Sequence, residues 1–154
     1  FAHYGFTGNL AAMQFQQMVE QQAWKAGGGN LVAPAQRMTD FVAKKFSTTL
    51  PACSYLPGVH SALLHEVLPE AVYDALANGF KSFGKKMKGY FSEEALIVAT
   101  ESRTSSPVRI PRNPDTLQHP QIKGLYPCAE GAGYAGGIIS AAMDGERVAD
   151  KIKG

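Results

Sequence analysis

Glu130 is followed within seven residues by Gly131, Gly133, Gly136 and Gly137, and that run gathers the groups in this sequence best suited to ligand chemistry. A carboxylate accepts hydrogen bonds from hydroxyls. Glycines let a backbone approach a ligand closely. A helix starting near Gly136 to Ile138 turns free N–H groups toward a negative or electron-rich group. Together these suit a polyol next to an electron-accepting ring. Gly131, Gly133 and Gly136 also spell G-x-G-x-x-G, the form of a dinucleotide fingerprint. That fingerprint requires a following strand with an acid about 20 residues on. Residues 138–154 supply a helix and no such strand, so the match is not read as a phosphate-binding fingerprint. On these residues alone, an ordinary glycine-rich turn remains an equal reading.

Arg103, Ser105, Ser106 and Arg109 form a second group. Two guanidinium forks and two hydroxyls can hold a carboxylate or phosphate. A surface loop with ordinary salt bridges is the simpler reading of the same residues. His3, His60, His65 and His119 have no metal-ligand spacing, and no metal site is expected. Cys53 and Cys128 form no CxxC, and neither has a neighbouring base that would make it a nucleophile. Cys128 reads as a small buried hydrophobe and Cys53 as a loop residue. No Ser-His-Asp set or carboxylate pair stands out, so no catalytic acid or base is named.

The elements that position these groups follow from periodicity. Asn9 caps a helix through Met13, Val19, Trp24 and Lys25, which Gly27-Gly28-Gly29 ends. Residues 30–32 read as extended. Pro34 opens a second helix whose Met38, Phe41, Val42 and Phe46 face a core, and 47–58 is a loop. A helical pattern resumes at Val59. Pro69 starts a further helix reaching Gly84 or Lys88. Glu93-Glu94 reads as a helix start, 95–100 as a buried strand, 104–112 as extended, and 124–130 as a strand ending in the acid. A last helix covers 135–153. Trp24, Phe15 and Phe41 are assigned to the core.

The whole chain of 154 residues is long enough for a real core, and 45% hydrophobic with 18% charged residues argues against disorder. Its 16 glycines, roughly one residue in ten, exceed the average of about 7%. A net charge of +2 argues against a nucleic-acid partner, and Lys81, Lys85, Lys86 and Lys88 read as a solvated helix face. No apolar run approaches the roughly 20 residues of a membrane span, and no signal or transit pattern opens the chain. Cysteine usage suits a cytoplasmic setting.

The segment GLYPCAEGAGYAGGIISAAMDGERVADKI (124–152) resembles the C-terminal flavin-binding segment of two-dinucleotide-binding-domain flavoproteins. The blocks AGGGNLVAPAQRMTDF (26–41), YLPGVHSALLHEVLPE (55–70) and ESRTSSPVRIPR (101–112) resemble bacterial FAD-dependent dehydrogenases of the kind labelled NAD(FAD)-utilizing. The resemblance covers most of residues 10–154. It implies FAD as cofactor and NAD(P)H as a candidate electron donor. Glu130 then holds the ribityl chain, Gly131 and Gly133 line the approach, and Gly136, Gly137 and Ile138 face the pyrimidine edge of the ring. Arg103, Ser105, Ser106 and Arg109 become candidates for orienting a small, acidic substrate. Two departures accompany it. Ala129 stands where such motifs usually carry Gly, and the glycine fingerprint for the ADP half of FAD is absent.

The expected fold is α+β: a mainly helical middle or cap domain over residues 1–94, then short strands and a C-terminal helix over 95–154 that complete an FAD-binding domain. The chain reads as the C-terminal part of an FAD-dependent oxidoreductase, inactive by itself, with exposed strand edges open to self-association. The rival reading is a non-catalytic helical interaction module whose glycine turn is purely structural.

Overall fold

The computed structural model describes residues 1–102 and 105–153. It is α+β, in the element order α1 (Ala11–Ala26), β1 (Ala33–Arg37), α2 (Met38–Val42), β2 (Val59–Ser61), α3 (Leu64–Val67), α4 (Glu70–Lys86), β3 (Leu96–Val98) and α5 (Ile138–Lys153), with a short 3-10 turn at Ala2–Tyr4. The chain divides into two compact units, one of Phe1–Gln16 with Glu101–Gly154 and one of Gln17–Thr100.

In the unit of residues 17–100, the core is built on a three-stranded sheet in the order β2-β1-β3. β1 runs parallel to β2, with Ala33 opposite Val59, and antiparallel to β3, with Ala35 opposite Val98. Phe41 and Leu64 are fully buried, packed with Ala23, Val67, Leu68, Tyr73, Ala77 and Ala99. Burying a Phe of this kind contributes roughly 1.5–3 kcal/mol. The Phe41 ring lies 4.8 Å from Tyr73 and 5.7 Å from Phe80, which fastens α2 to α4. The Tyr73 hydroxyl donates to the Phe41 carbonyl at 2.9 Å, so its polar tip is satisfied inside the core. Its pKa is raised, by burial first and by the nearby Asp74 charge second.

Polar side chains tie this core together. Gln36 is fully buried in the central strand; its amide donates to the Lys45 carbonyl at 2.6 Å and its oxygen accepts from the Leu64 N–H at 3.1 Å. The buried Ser47 hydroxyl accepts from the Arg37 N–H and donates to Asp40. Arg37 donates to the Thr49 and Glu93 carbonyls, bracing the loop after α2 and the turn before β3.

Several local expectations fail here for identifiable reasons. Pro34 does not open a helix: it is buried in β1, and α2 starts four residues later at Met38. Its carbonyl accepts from the Ala99 N–H at 3.0 Å, one residue beyond the last β1–β3 pair of Ala35 with Val98, so the missing N–H falls past the end of that ladder. The extended stretch is 33–37 rather than 30–32. Val59 begins a strand, not a helix. Glu93-Glu94 forms a turn. Trp24 is 53% exposed and outside the core. α1 does end at the glycine run, with the Gly29 N–H donating to the Trp24 carbonyl and Gly28 and Gly29 at φ 96° and 77°. Pro69 stands immediately before α4, where its carbonyl accepts from Val72 and Tyr73.

In the other unit, Phe1, Tyr4 and Phe15 stack with ring centroids 5.3 and 5.1 Å apart, and the Gln16 amide donates to the Ser102 carbonyl. Segment 124–130 is not a strand. Its backbone finds no strand partner and runs as irregular chain into a turn at 129–133, while α5 begins at Ile138, not at 135. Cys128 is half-buried and Cys53 exposed, both free. No helix among the described residues is long and apolar enough to cross a membrane.

Candidate functional site

The turn after Ala129 is closed by its own backbone: the Gly133 N–H donates to the Glu130 carbonyl and the Tyr134 N–H to the Ala129 carbonyl, both at 2.9 Å. Ala129 has φ 57° and Gly133 φ 82°. The left-handed angle at Ala129 supplies the physical reason for a glycine preference at that position, since a Cβ there costs roughly 1–2 kcal/mol. Gly133 could not carry one: an added Cβ would stand 2.7 Å from the Val108 carbonyl oxygen.

The two groups singled out in the sequence meet in space. The Ile110 N–H donates to the Ala132 carbonyl at 3.1 Å. The Ser106 hydroxyl reaches the Val108 carbonyl at 2.8 Å and the Gly131 carbonyl at 3.4 Å. An added Cβ at Gly136 would lie 3.4 Å from Ser105 Oγ. The Arg109 guanidinium sits 4.3 Å from the Tyr134 ring centre. Ser105, Ser106 and Arg109 thus line the turn that carries Glu130; Arg103 lies outside the described residues.

The turn is held from behind by residues that local pattern did not single out. Arg112 makes a bidentate pair with Asp144 of α5 at 2.9 and 2.8 Å, and also donates to the Pro127 carbonyl. The same Asp144 accepts from the Ala129 N–H at 2.8 Å. Arg112 packs on the Tyr134 ring at 3.7 Å, and the Tyr134 hydroxyl donates to the Ile110 carbonyl. The Arg112 hydrogen bond holds the Asp144 carboxyl below the usual carboxylate range, with the Ala129 N–H and the Arg112 and Arg147 charges adding to it against burial. The same hydrogen bond raises Arg112 above its ordinary value. Arg112 and Asp144 are 32 residues apart, and no spacing rule joins them.

The front of the turn is open. Glu130 is exposed, and its carboxylate makes no hydrogen bond or ion pair among the described residues. A Cβ at Gly131 would meet nothing within 4 Å. At the start of α5, Ile138 is 89% and Ile139 73% exposed. A bare glycine backbone, an uncommitted carboxylate and uncovered apolar side chains are together what a flat ring bearing a polyol chain would cover, so these residues fit the flavin end of FAD. Among the described residues no group of three or more His, Cys, Asp or Glu gathers as a metal site.

A family model described as "FAD-dependent protein, C-terminal domain-like" matches residues 2–104. An uncharacterized protein of Clostridium beijerinckii is 48% identical over 145 residues, which is 93% of this chain and 27% of that relative. The chain therefore spans about a quarter of the length of the curated relative it matches. The family match ends before the 130–137 turn and does not bear on it.

Proposed function

The chain belongs to the FAD-dependent protein, C-terminal domain-like family, and from that membership we propose that it is the C-terminal part of a longer FAD-dependent oxidoreductase, a dehydrogenase, and supplies the flavin and ribityl side of the cofactor site. In this reading Glu130 accepts hydrogen bonds from ribityl hydroxyls, Gly131 and Gly133 leave room for that approach, and the N–H groups at Gly136, Gly137 and Ile138 favour electron density on the ring. The cofactor, when bound, carries the hydride or electrons, with NAD(P)H as the donor. Ser105, Ser106, Arg109 and Arg103 orient a small acidic substrate. Residues 1–94 act as the middle or cap domain and 95–154 close the FAD domain.

One observation carries the reading: an exposed, uncommitted Glu130 beside the open start of α5. It is tested by purifying the full-length protein and recording its visible spectrum. The protein should carry oxidised flavin, and Glu130→Ala should release it about tenfold more readily, the loss expected for one charge-assisted contact. A colourless full-length protein, or unchanged flavin retention in Glu130→Ala, counts against it. A colourless protein favours the alternative of a non-catalytic helical interaction module, to which the Arg112–Asp144–Tyr134 lock points by giving the turn a purely structural purpose.

A further inference from the structure

Tyr134, in the same turn as Glu130, also walls a cleft of about 510 Å³ shared with Arg109, Pro111, Arg112, Pro114, Leu117, Pro120 and Arg147. Leu117, 1% exposed, lies buried beneath it, and the exposed Pro111, Pro114 and Pro120 supply its apolar surface. Three prolines in the wall fix local backbone angles and hold the shape without closing it. The lining includes three guanidinium groups and no carboxylate. Arg112 is committed to Asp144 and the Pro127 carbonyl. Arg109 and Arg147 are exposed and make no ion pair among the described residues, although the Arg147 charge helps keep Asp144 ionised. The volume lies within the range of small-molecule sites, roughly 300–1,000 Å³, and apolar walls with a few charged groups are how such sites are built.

We propose that this cleft seats a small organic anion, with Arg109 and Arg147 on its acid group and its apolar body against Pro111, Pro114 and Pro120. Guanidinium forks match both carboxylate and phosphate oxygens, so the class is an organic acid with a compact apolar body. The proposal deepens the acidic-substrate reading of Arg109 and rests on it only for calling that acid a substrate. Arg147 is the new member of the set.

The test uses the flavin-loaded full-length protein and fluorine NMR with 4-fluorobenzoate as the probe, 4-fluorobenzyl alcohol as the neutral control and phenyl phosphate as a competitor. The carboxylate should bind and the alcohol should not. Arg147→Gln should weaken carboxylate binding about tenfold or more with flavin content unchanged. Phenyl phosphate competing more tightly than 4-fluorobenzoate supports a phosphate acid, and weaker competition supports a carboxylate. No binding by the wild type, equal binding by Arg147→Gln, or binding only after flavin removal overturns the proposal, the last by giving the cleft to the cofactor's own phosphates. A protein that holds flavin but no 4-fluorobenzoate loses the cleft alone. One that lacks flavin yet binds the carboxylate through Arg147 loses the cofactor reading alone.

Discussion

Asp144 shows how one side chain can hold a site it never fronts. Its two oxygens take both terminal nitrogens of Arg112, and one of them also takes the Ala129 N–H. The side chains of the pair are only 6% and 11% exposed. Breaking one partner of such a pair leaves an uncompensated charge, which costs about 3 kcal/mol. Asp144→Ala should therefore lower unfolding stability by about that amount in urea titrations, and a loss under about 0.5 kcal/mol would show that the pair is idle. The pH dependence has a fixed sign. A carboxyl whose folded pKa is depressed contributes stability that is complete above its ordinary value of 3.8 and is lost as pH falls through the lower folded value. Wild type should lose stability over that acid window, and Asp144→Asn should flatten this component. At this scale the sequence shows half of the candidate site. Glu130 and its glycines are local in the chain and can be read from spacing, as can Ser105, Ser106 and Arg109. Arg112, Tyr134 and Asp144 act through partners far along the chain, so their residue types carry no local signal. Their type and position become informative only once α5 lies against the 109–112 segment.

At the scale of elements, length decided what periodicity could show. α1, α4 and α5 run 16, 17 and 16 residues with an apolar stripe, enough turns for the pattern to outweigh local noise. β1, β2 and β3 have 5, 3 and 3 residues. Strands that short are stabilised by their neighbours rather than by their own sequence. Pro34 is the instructive case: its fixed φ suits a helix start, but β2 and β3 on either side make the same angle part of a central strand. Conversely, 124–130 has the apolar content of a strand and, lacking a partner, does not become one. Gln36 is what joins these short pieces, linking β1 to the end of the α2 turn and to the start of α3. Gln36→Leu keeps the volume but strands the buried Leu64 N–H, at a cost of about 1–3 kcal/mol, and loses the bond to the part-buried Lys45 carbonyl. The variant should lose at least about 2 kcal/mol in chemical denaturation. It should also speed hydrogen exchange at Leu64 relative to the β1–β3 rungs. Unchanged exchange at Leu64 would mean that water replaces the amide and that the strap is dispensable.

At the scale of the whole molecule, the residues proposed to face the flavin all lie in the unit that contains 101–154, whereas the family match rests on residues 2–104. The glycine fingerprint that grips the ADP half of FAD is missing from the sequence, and this chain aligns with 27% of a much longer relative. A cofactor gripped at both ends loses most of its affinity when one grip is removed, because the remaining contacts still bear the full cost of immobilising the ligand. Ile138, Ile139 and Met143, the last 65% exposed, also leave the start of α5 uncovered, so its open N–H groups face water rather than a dry pocket. Hydrogen bonds to a ring edge are weaker there than in a site from which water is excluded. Calorimetry should accordingly detect weak or no FAD binding to the 154-residue chain, and clear binding to the full-length protein. Micromolar or tighter binding by the short chain would show that Glu130 and the 131–138 turn form a self-sufficient flavin site. Equal weakness in both proteins would instead remove FAD from this site altogether. Comparing riboflavin with FAD on the full-length protein then separates the two ends: if the 130–138 turn grips the flavin, riboflavin should still bind, more weakly than FAD, and Glu130→Ala should weaken both ligands by a similar factor.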